Sequence, residues 1–271
     1  MSWNAYRVML RLQAPMHVGR AKLGNLQITR PYVHGKALWG ALTARITRDT
    51  PHLGQDYRAV GKQVNRELAF SYFYPSTGER VDLWPWDQPE RFAWLFLGSY
   101  ASTALNYTHQ AAAEGALHET EFIAPTTRSG EPVYLVGYIF EAQGCTLPWQ
   151  QALQHLQLGG ERTYGWGRVS LHKAPTPASQ LFERYALDLQ GARPVVTLQA
   201  HDALLAHGRA VGDRAISATG RVVPLVGRET HDARAHGRVP SEAIICWEPG
   251  STVATGERIA IGPYGIWEAA K

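Results

Sequence analysis

Cysteine is nearly missing from this chain: among 271 residues only Cys145 and Cys246 carry a thiol. Two cysteines build neither a disulfide framework nor a four-ligand zinc site, so the fold must rest on its own hydrophobic core. Lysine is scarce too, with five lysines against 22 arginines and a net charge of only +4. A planar guanidinium grips phosphate through two donors and stacks on flat rings, so this choice favours phosphate and base contact. A GC-rich genome produces the same bias. No stretch approaches 18 apolar residues, and the opening MSWNAYRVMLRLQAP lacks an apolar core of signal-peptide length. A cytoplasmic protein with no membrane partner is expected. No GxxxxGK[ST] is present, and no GxGxxG opens a helix after a strand, so no nucleotide cofactor is expected.

What is present is the composition of a globular protein, 45% hydrophobic and 18% charged, long enough for one large domain or two small ones. Residues 5–13 alternate as a half-buried strand, with Arg7, Met9, Arg11 and Gln13 on the second face. LQITRPYV extends further before Pro31, and HGKALWGALTARITRD has helical apolar spacing. From about 50 to 115 periodicity fades. SYFYPSTGERVDLWPWD resembles a hairpin, RFAWLFLGSYAST a short helix or a strand, and AAAEGALHETEF a short helix or a turn into a strand. EPVYLVGYIFEA is a strong strand, LPWQQALQHLQL an amphipathic helix, and WGRVSLHK a strand. The prolines of KAPTPAS mark a linker, after which short strand-like runs follow to the end. Strand, helix, irregular stretch, strand, helix, strand predicts an α+β chain. Its first part is a ferredoxin-like (RRM-like) βαββαβ domain over 1–173, with an insertion at about 50–115. A β-rich subdomain is expected over 174–271.

Two segments concentrate chemistry. LQLGGERTYGWGRV packs Gly159, Gly160, Gly165 and Gly167 among Arg162, Thr163, Tyr164, Trp166 and Arg168. One glycine would serve as a helix C-cap; four exceed that need and suit a loop that holds a flat, anionic ligand. MHVGRAKLGNLQITRPYVHGKALWGAL places Arg20, Arg30, His34, Gly35 and Lys36 ahead of a helix whose first amides favour phosphate. Other groups are weaker. HDALLAH and HDARAH pair His with Asp but read as solvated or RNA-contacting loops, and His118, Glu119 and Glu121 suit a strand edge as well as a cation. No metal is expected. Trp84 and Trp86 are candidates for an exposed stacking platform or a subunit contact.

PYVHGKALWGAL (31–42), GGERTYGWGRV (159–169) and the opening LRLQAPMHVGR resemble, in order and spacing, motifs of the RAMP superfamily of CRISPR proteins. His34 and Lys36 stand where that family usually has Pro and Ser. The resemblance implies one or two ferredoxin-like domains and a guide-RNA-binding subunit that caps the guide or adjoins the cap in a type III-like effector complex. Its implied partners are CRISPR guide RNA and other effector subunits. Target-cleaving members of the family carry an Asp after the first strand. Residues 14–31 contain no acid, so that role is not expected. Guide-processing members are metal-independent RNases; as such, the chain would use His34, His17 and Lys36 as acid, base and charge stabiliser. In those members the glycine loop lies near the C-terminus, whereas about a hundred residues follow it here. A mainly protein-binding scaffold is the third reading. The expected RNA contacts are Arg20, Arg30, His34, Gly35, Lys36, Gly159, Gly160, Arg162, Thr163, Tyr164, Gly165, Trp166, Gly167 and Arg168.

Overall fold

The computed structural model describes residues 1–50, 56–229, 239–240 and 243–270. The chain opens with β1 (Trp3–Leu12), followed by β2 (Gly19–Leu23) and β3 (Leu26–Thr29). Helix α1 (Gly35–Asp49) begins at His34, whose Nδ1 accepts the Ala37 N–H at 3.2 Å and satisfies one first-turn donor. Leu38, Leu42 and Ile46 recur at helical spacing and are fully buried. Helix α2 (Tyr57–Glu67) is capped by Asp56, which accepts from the amides of Arg58 and Ala59. Then come β4 (Leu68–Phe70), β5 (Tyr74–Ser76), α3 (Pro89–Phe96) and β6 (Leu97–Ser102). A short ladder, β7 (Leu105–Asn106) with β8 (Ala111–Ala112), leads into β9 (His118–Ile123) and β10 (Tyr134–Ala142). Helix α4 (Trp149–Ala152), β11 (Val169–Leu171) and β12 (Thr176–Pro177) follow.

The central sheet runs β11-β1-β10-β4, with β12 added to β1 and β5 to β10, all antiparallel. One face meets the helices: Val8, Leu10 and Leu12 pack with Leu38, Leu42, Ile46, Leu135, Ile139 and Trp149. Each fully buried aliphatic side chain there stabilises the fold by about 1.5–3 kcal/mol. A second sheet, β2-β3-β9-β6, joins β3 to β9 in parallel. The remainder forms an eight-stranded sheet that starts at Gln180–Leu181 and ends spatially at Val222–Leu225. The chain is thus α+β with a β-rich C-terminal part.

Several expectations change. The second face of β1 is not a solvent face along its length: Trp3, Ala5 and Met9 are buried, and Trp3 and Ala5 pack with Leu181, Val196, Leu198 and Trp267 of the C-terminal sheet. SYFYPSTGERVDLWPWD forms no hairpin; β5 pairs with β10 instead, and no strand follows it before α3. Trp84 and Trp86 turn inward, stacked at 5.3 Å against each other and edge-on to Tyr74, because the C-terminal part offers them an apolar surface that includes Phe182. The faded stretch 50–115 carries α2, α3 and two strands of the central sheet. RFAWLFLGSYAST is both helix and strand, and the KAPTPAS linker supplies β12. HDALLAH is no solvated loop. Asp202 accepts from Gln199 N–H and Arg184, and His207 is fully buried. HDARAH lies outside the described residues.

His207 joins the two parts of the molecule. Its Nδ1 lies 2.7 Å from Tyr72 Oη, and Arg30 Nη1 approaches Nε2 at 3.4 Å. A guanidinium only donates, so Nε2 accepts and Nδ1 carries the proton toward Tyr72. Burial, then the Arg30 charge, push the His207 pKa well below its ordinary value; the same two causes, followed by Lys36, take His34 to about 3. The folded chain therefore refuses protons that the unfolded chain accepts below about pH 6.5. This contribution to stability is present above pH 6.5 and is lost as pH falls below it, at up to about 1.4 kcal/mol per pH unit for His207. Urea melts from pH 7.5 to 5 are expected to show a falling midpoint, and a shallower fall in His207→Gln. A midpoint independent of pH over that range would remove this account.

Candidate functional site

The glycine-rich segment is a closed hairpin. Leu158 N–H donates to Gly167 O at 2.8 Å, Val169 N–H to Leu156 O at 3.1 Å, and Gln157 opposes Arg168. This pairing ends the expected helix early: α4 stops at Ala152, one 3₁₀ turn follows over Leu153–His155, and Leu156 is extended. Inside the loop the Gln157 amide donates to the carbonyls of Arg162 and Trp166 at 2.8 and 2.9 Å, bracing the two sides. Glu161, Gly165 and Gly167 all have positive φ, so the turn is bent by its backbone.

Most of the glycines serve close approach to one strip of the chain itself. Gly167 N–H donates to Pro15 O at 2.7 Å and Gly160 N–H to His17 O at 2.8 Å. A Cβ on Gly159 would lie 2.2 Å from His17 O, and one on Gly167 only 1.8 Å from Leu158 O. From the other side Arg30 N–H reaches Val18 O at 2.6 Å. Both sequence motifs therefore converge on residues 15–18, the connection between β1 and β2.

The side chains left outward are Arg162, Thr163, Tyr164 and Arg168, with Tyr164 80% exposed. Arg168 and Gly165 border an open groove of about 780 Å³ whose other walls are Arg11, Leu12, Gln13, Ala14, Pro125 and Thr126. Two flexible cations, a free aromatic ring and an adjoining groove can take a phosphate-bearing strand. Arg11 and Gln13 were legible only as the second face of β1; nothing local to Pro125 or Thr126 marks them.

Trp166 is not a free stacking ring. It packs edge-on to Phe122 at 5.2 Å and lies 6.4 Å from Tyr100, which pins the loop to the second sheet. The other motif is also largely inside the molecule. Arg30 is 9% exposed and engaged with His207. His34 caps α1, and a Cβ on Gly35 would strike Tyr264 O at 2.3 Å, so the start of α1 approaches the chain's own backbone rather than an open surface. Lys36 lies over the Tyr264 ring at 4.9 Å and against Gly227. Arg20, on β2, reaches the surface but pairs with Glu248 at 2.8 Å. His17 is buried, its Nδ1 on Glu121 O at 2.7 Å. Glu121 accepts from Thr29 N–H, and His118 bonds Ser102. Among the described residues no group of His, Cys, Asp and Glu is placed to hold a metal ion, and no helix is long and apolar enough to cross a membrane.

The glycine geometry is open to test. Gly167→Ala combines a positive φ with a backbone clash and is expected to cost at least about 2 kcal/mol in urea unfolding. Gly160→Ala, whose Cβ would make ordinary contacts with the His17 ring at 3.5 Å and the His17 carbonyl at 3.8 Å, is expected to be nearly neutral. Equal losses in the two variants would refute this assignment.

No family model and no curated protein matches the chain. Solved structures do. A chain in the cryo-EM structure of Type III-B Cmr-beta bound to cognate target RNA and AMPPnP aligns with TM-score 0.53 and 11% identity, covering 91% of this chain and 85% of that one. Chains of Cmr-beta bound to cognate target RNA and of its apo state each align at TM-score 0.42, with 12% and 8% identity, over 62% of this chain and 96% of theirs. At this identity the likeness is one of architecture: over nine-tenths of its length, this chain shares its fold with a chain of the Type III-B Cmr-beta structure.

Proposed function

We propose that this protein is a non-catalytic RNA-binding subunit of a type III-like CRISPR ribonucleoprotein complex, holding guide RNA at the glycine hairpin. The observation that carries this reading is the outward set Arg162, Thr163, Tyr164 and Arg168 on a braced loop beside a groove. The fold shared with a Cmr-beta chain supports a place among effector subunits. The order β11-β1-β10-β4, with helices packed on one face, supports a ferredoxin-like domain over 1–173. Residues 174–271 then add β12 to the central sheet and otherwise serve as a β-rich scaffold against it.

In this mechanism arginines neutralise phosphates, with release of counterions, and a base stacks on Tyr164. The processing alternative loses ground on geometry. His17 is buried with its Nδ1 engaged, and His34 spends its Nδ1 on the α1 cap while its pKa sits at about 3. A general base needs a reachable imidazole with a pKa near the working pH. Arg20 is retained as a peripheral contact that must first leave Glu248.

Binding of a labelled repeat–spacer RNA, measured by anisotropy across a salt series in EDTA, tests the proposal. The Arg162→Ala/Arg168→Ala variant is expected to bind at least tenfold more weakly and to lower the salt slope by about 2. Unchanged affinity and slope, or cleavage of the RNA by the protein alone, would overturn the reading.

A further inference from the structure

The C-terminal sheet covers only one end of the second face of β1. At the other end Arg11 stands opposite Tyr134 on β10 and Ser170 on β11, and His172 follows two residues beyond Ser170 on that same face. These side chains form a supported column. Arg11 Nη1 donates to the carbonyls of Leu12, Pro125 and Val133 at 2.7, 2.7 and 2.9 Å, which fixes the guanidinium 5.6 Å from the Tyr134 ring centre. Tyr134 in turn meets the His172 ring at 4.7 Å. His172 is the exposed member, and its backbone is anchored by N–H donation to Met9 O at 2.9 Å. Two residues along the same face, Ser170 Oγ accepts from the exposed Gln13 amide at 3.0 Å, leaving further hydrogen-bonding capacity on both groups.

Arg11 and Gln13 also wall the groove that Arg168 borders, so the column continues the glycine-hairpin surface rather than standing apart from it. Covering Met9 would require only apolar bulk. Here the exposed group is a flat imidazole backed by the Tyr134 ring, with the Ser170 hydroxyl two residues along the same face and the exposed Arg168 two residues beyond that. Such a surface accepts the face of an unpaired base while its neighbours meet the base edge.

We propose that His172, backed by Tyr134 and Arg11, is a stacking site for one unpaired base of the single strand whose phosphates pass Arg168. The proposal rests on the RNA-binding reading above and extends it onto the open end of the central sheet. Single-stranded oligouridine, titrated into the full-length protein and followed by anisotropy, is the probe. His172→Ala is expected to weaken binding fivefold or more with the salt slope unchanged, because stacking on a base face neutralises no phosphate and releases no counterion. His172→Phe, which keeps a flat ring, is expected to retain near-parent affinity. If His172→Ala binds as the parent does while Arg162→Ala/Arg168→Ala loses binding, the stacking site is refuted and the RNA-binding reading stands. Equal losses in the Ala and Phe variants would also refute stacking. If the parent protein binds no RNA, both readings fall.

Discussion

A four-residue strip of backbone, Pro15 to Val18, organises this molecule. Its carbonyls receive Gly167 and Gly160 from the glycine hairpin and Arg30 from the segment after β3. Met16 exchanges both backbone hydrogen bonds with Ile123 of the second sheet. Such an approach demands a bare Cα at Gly159, whose Cβ would strike His17 O, while Gly167 is bare because a Cβ there would strike Leu158 O across the hairpin. Loop, second sheet and central sheet are therefore positioned by one set of main-chain contacts. The outward side chains of the hairpin are free to meet a ligand because its backbone is already committed.

The central sheet is the middle layer. Helices α1 and α4 bury its first face, and the C-terminal sheet buries part of its second. Between the latter two lies a polar seam of Arg30, Tyr72 and His207, with Tyr74 donating to Leu205 O. Burying such groups is unfavourable unless they satisfy one another, so the seam fixes how the two parts dock. Among the described residues, Arg11, Tyr134 and His172, at the far end of the second face, stand outside the buried cluster shared with that sheet. The open surface of the protein thus follows from what the C-terminal part does not reach.

Legibility varied with how local the deciding physics is. Strand β1, helix α1 and strand β10 could be read because alternation or 3.6-residue spacing is strong in each. Helix α2 was missed: only Val60 and Val64 mark its buried face, and Gly61 sits there to admit the Trp39 ring. The helix expected over 147–158 is cut short by the partner strand at Gly167–Val169, a pairing no local propensity reveals. Arg30 and His34 have the composition of a phosphate site, yet the C-terminal part closes over them.

By itself the sequence determined the α+β class, the glycine-rich turn and the outward arginines and tyrosine upon it. Those features depend on neighbours within a few residues. Tertiary structure alone decided which histidines are buried, that Trp84, Trp86 and Trp166 pack inward, and that Arg11, Tyr134 and His172 share an open face. These outcomes turn on contacts between residues far apart in the chain, whose burial and register no local pattern encodes.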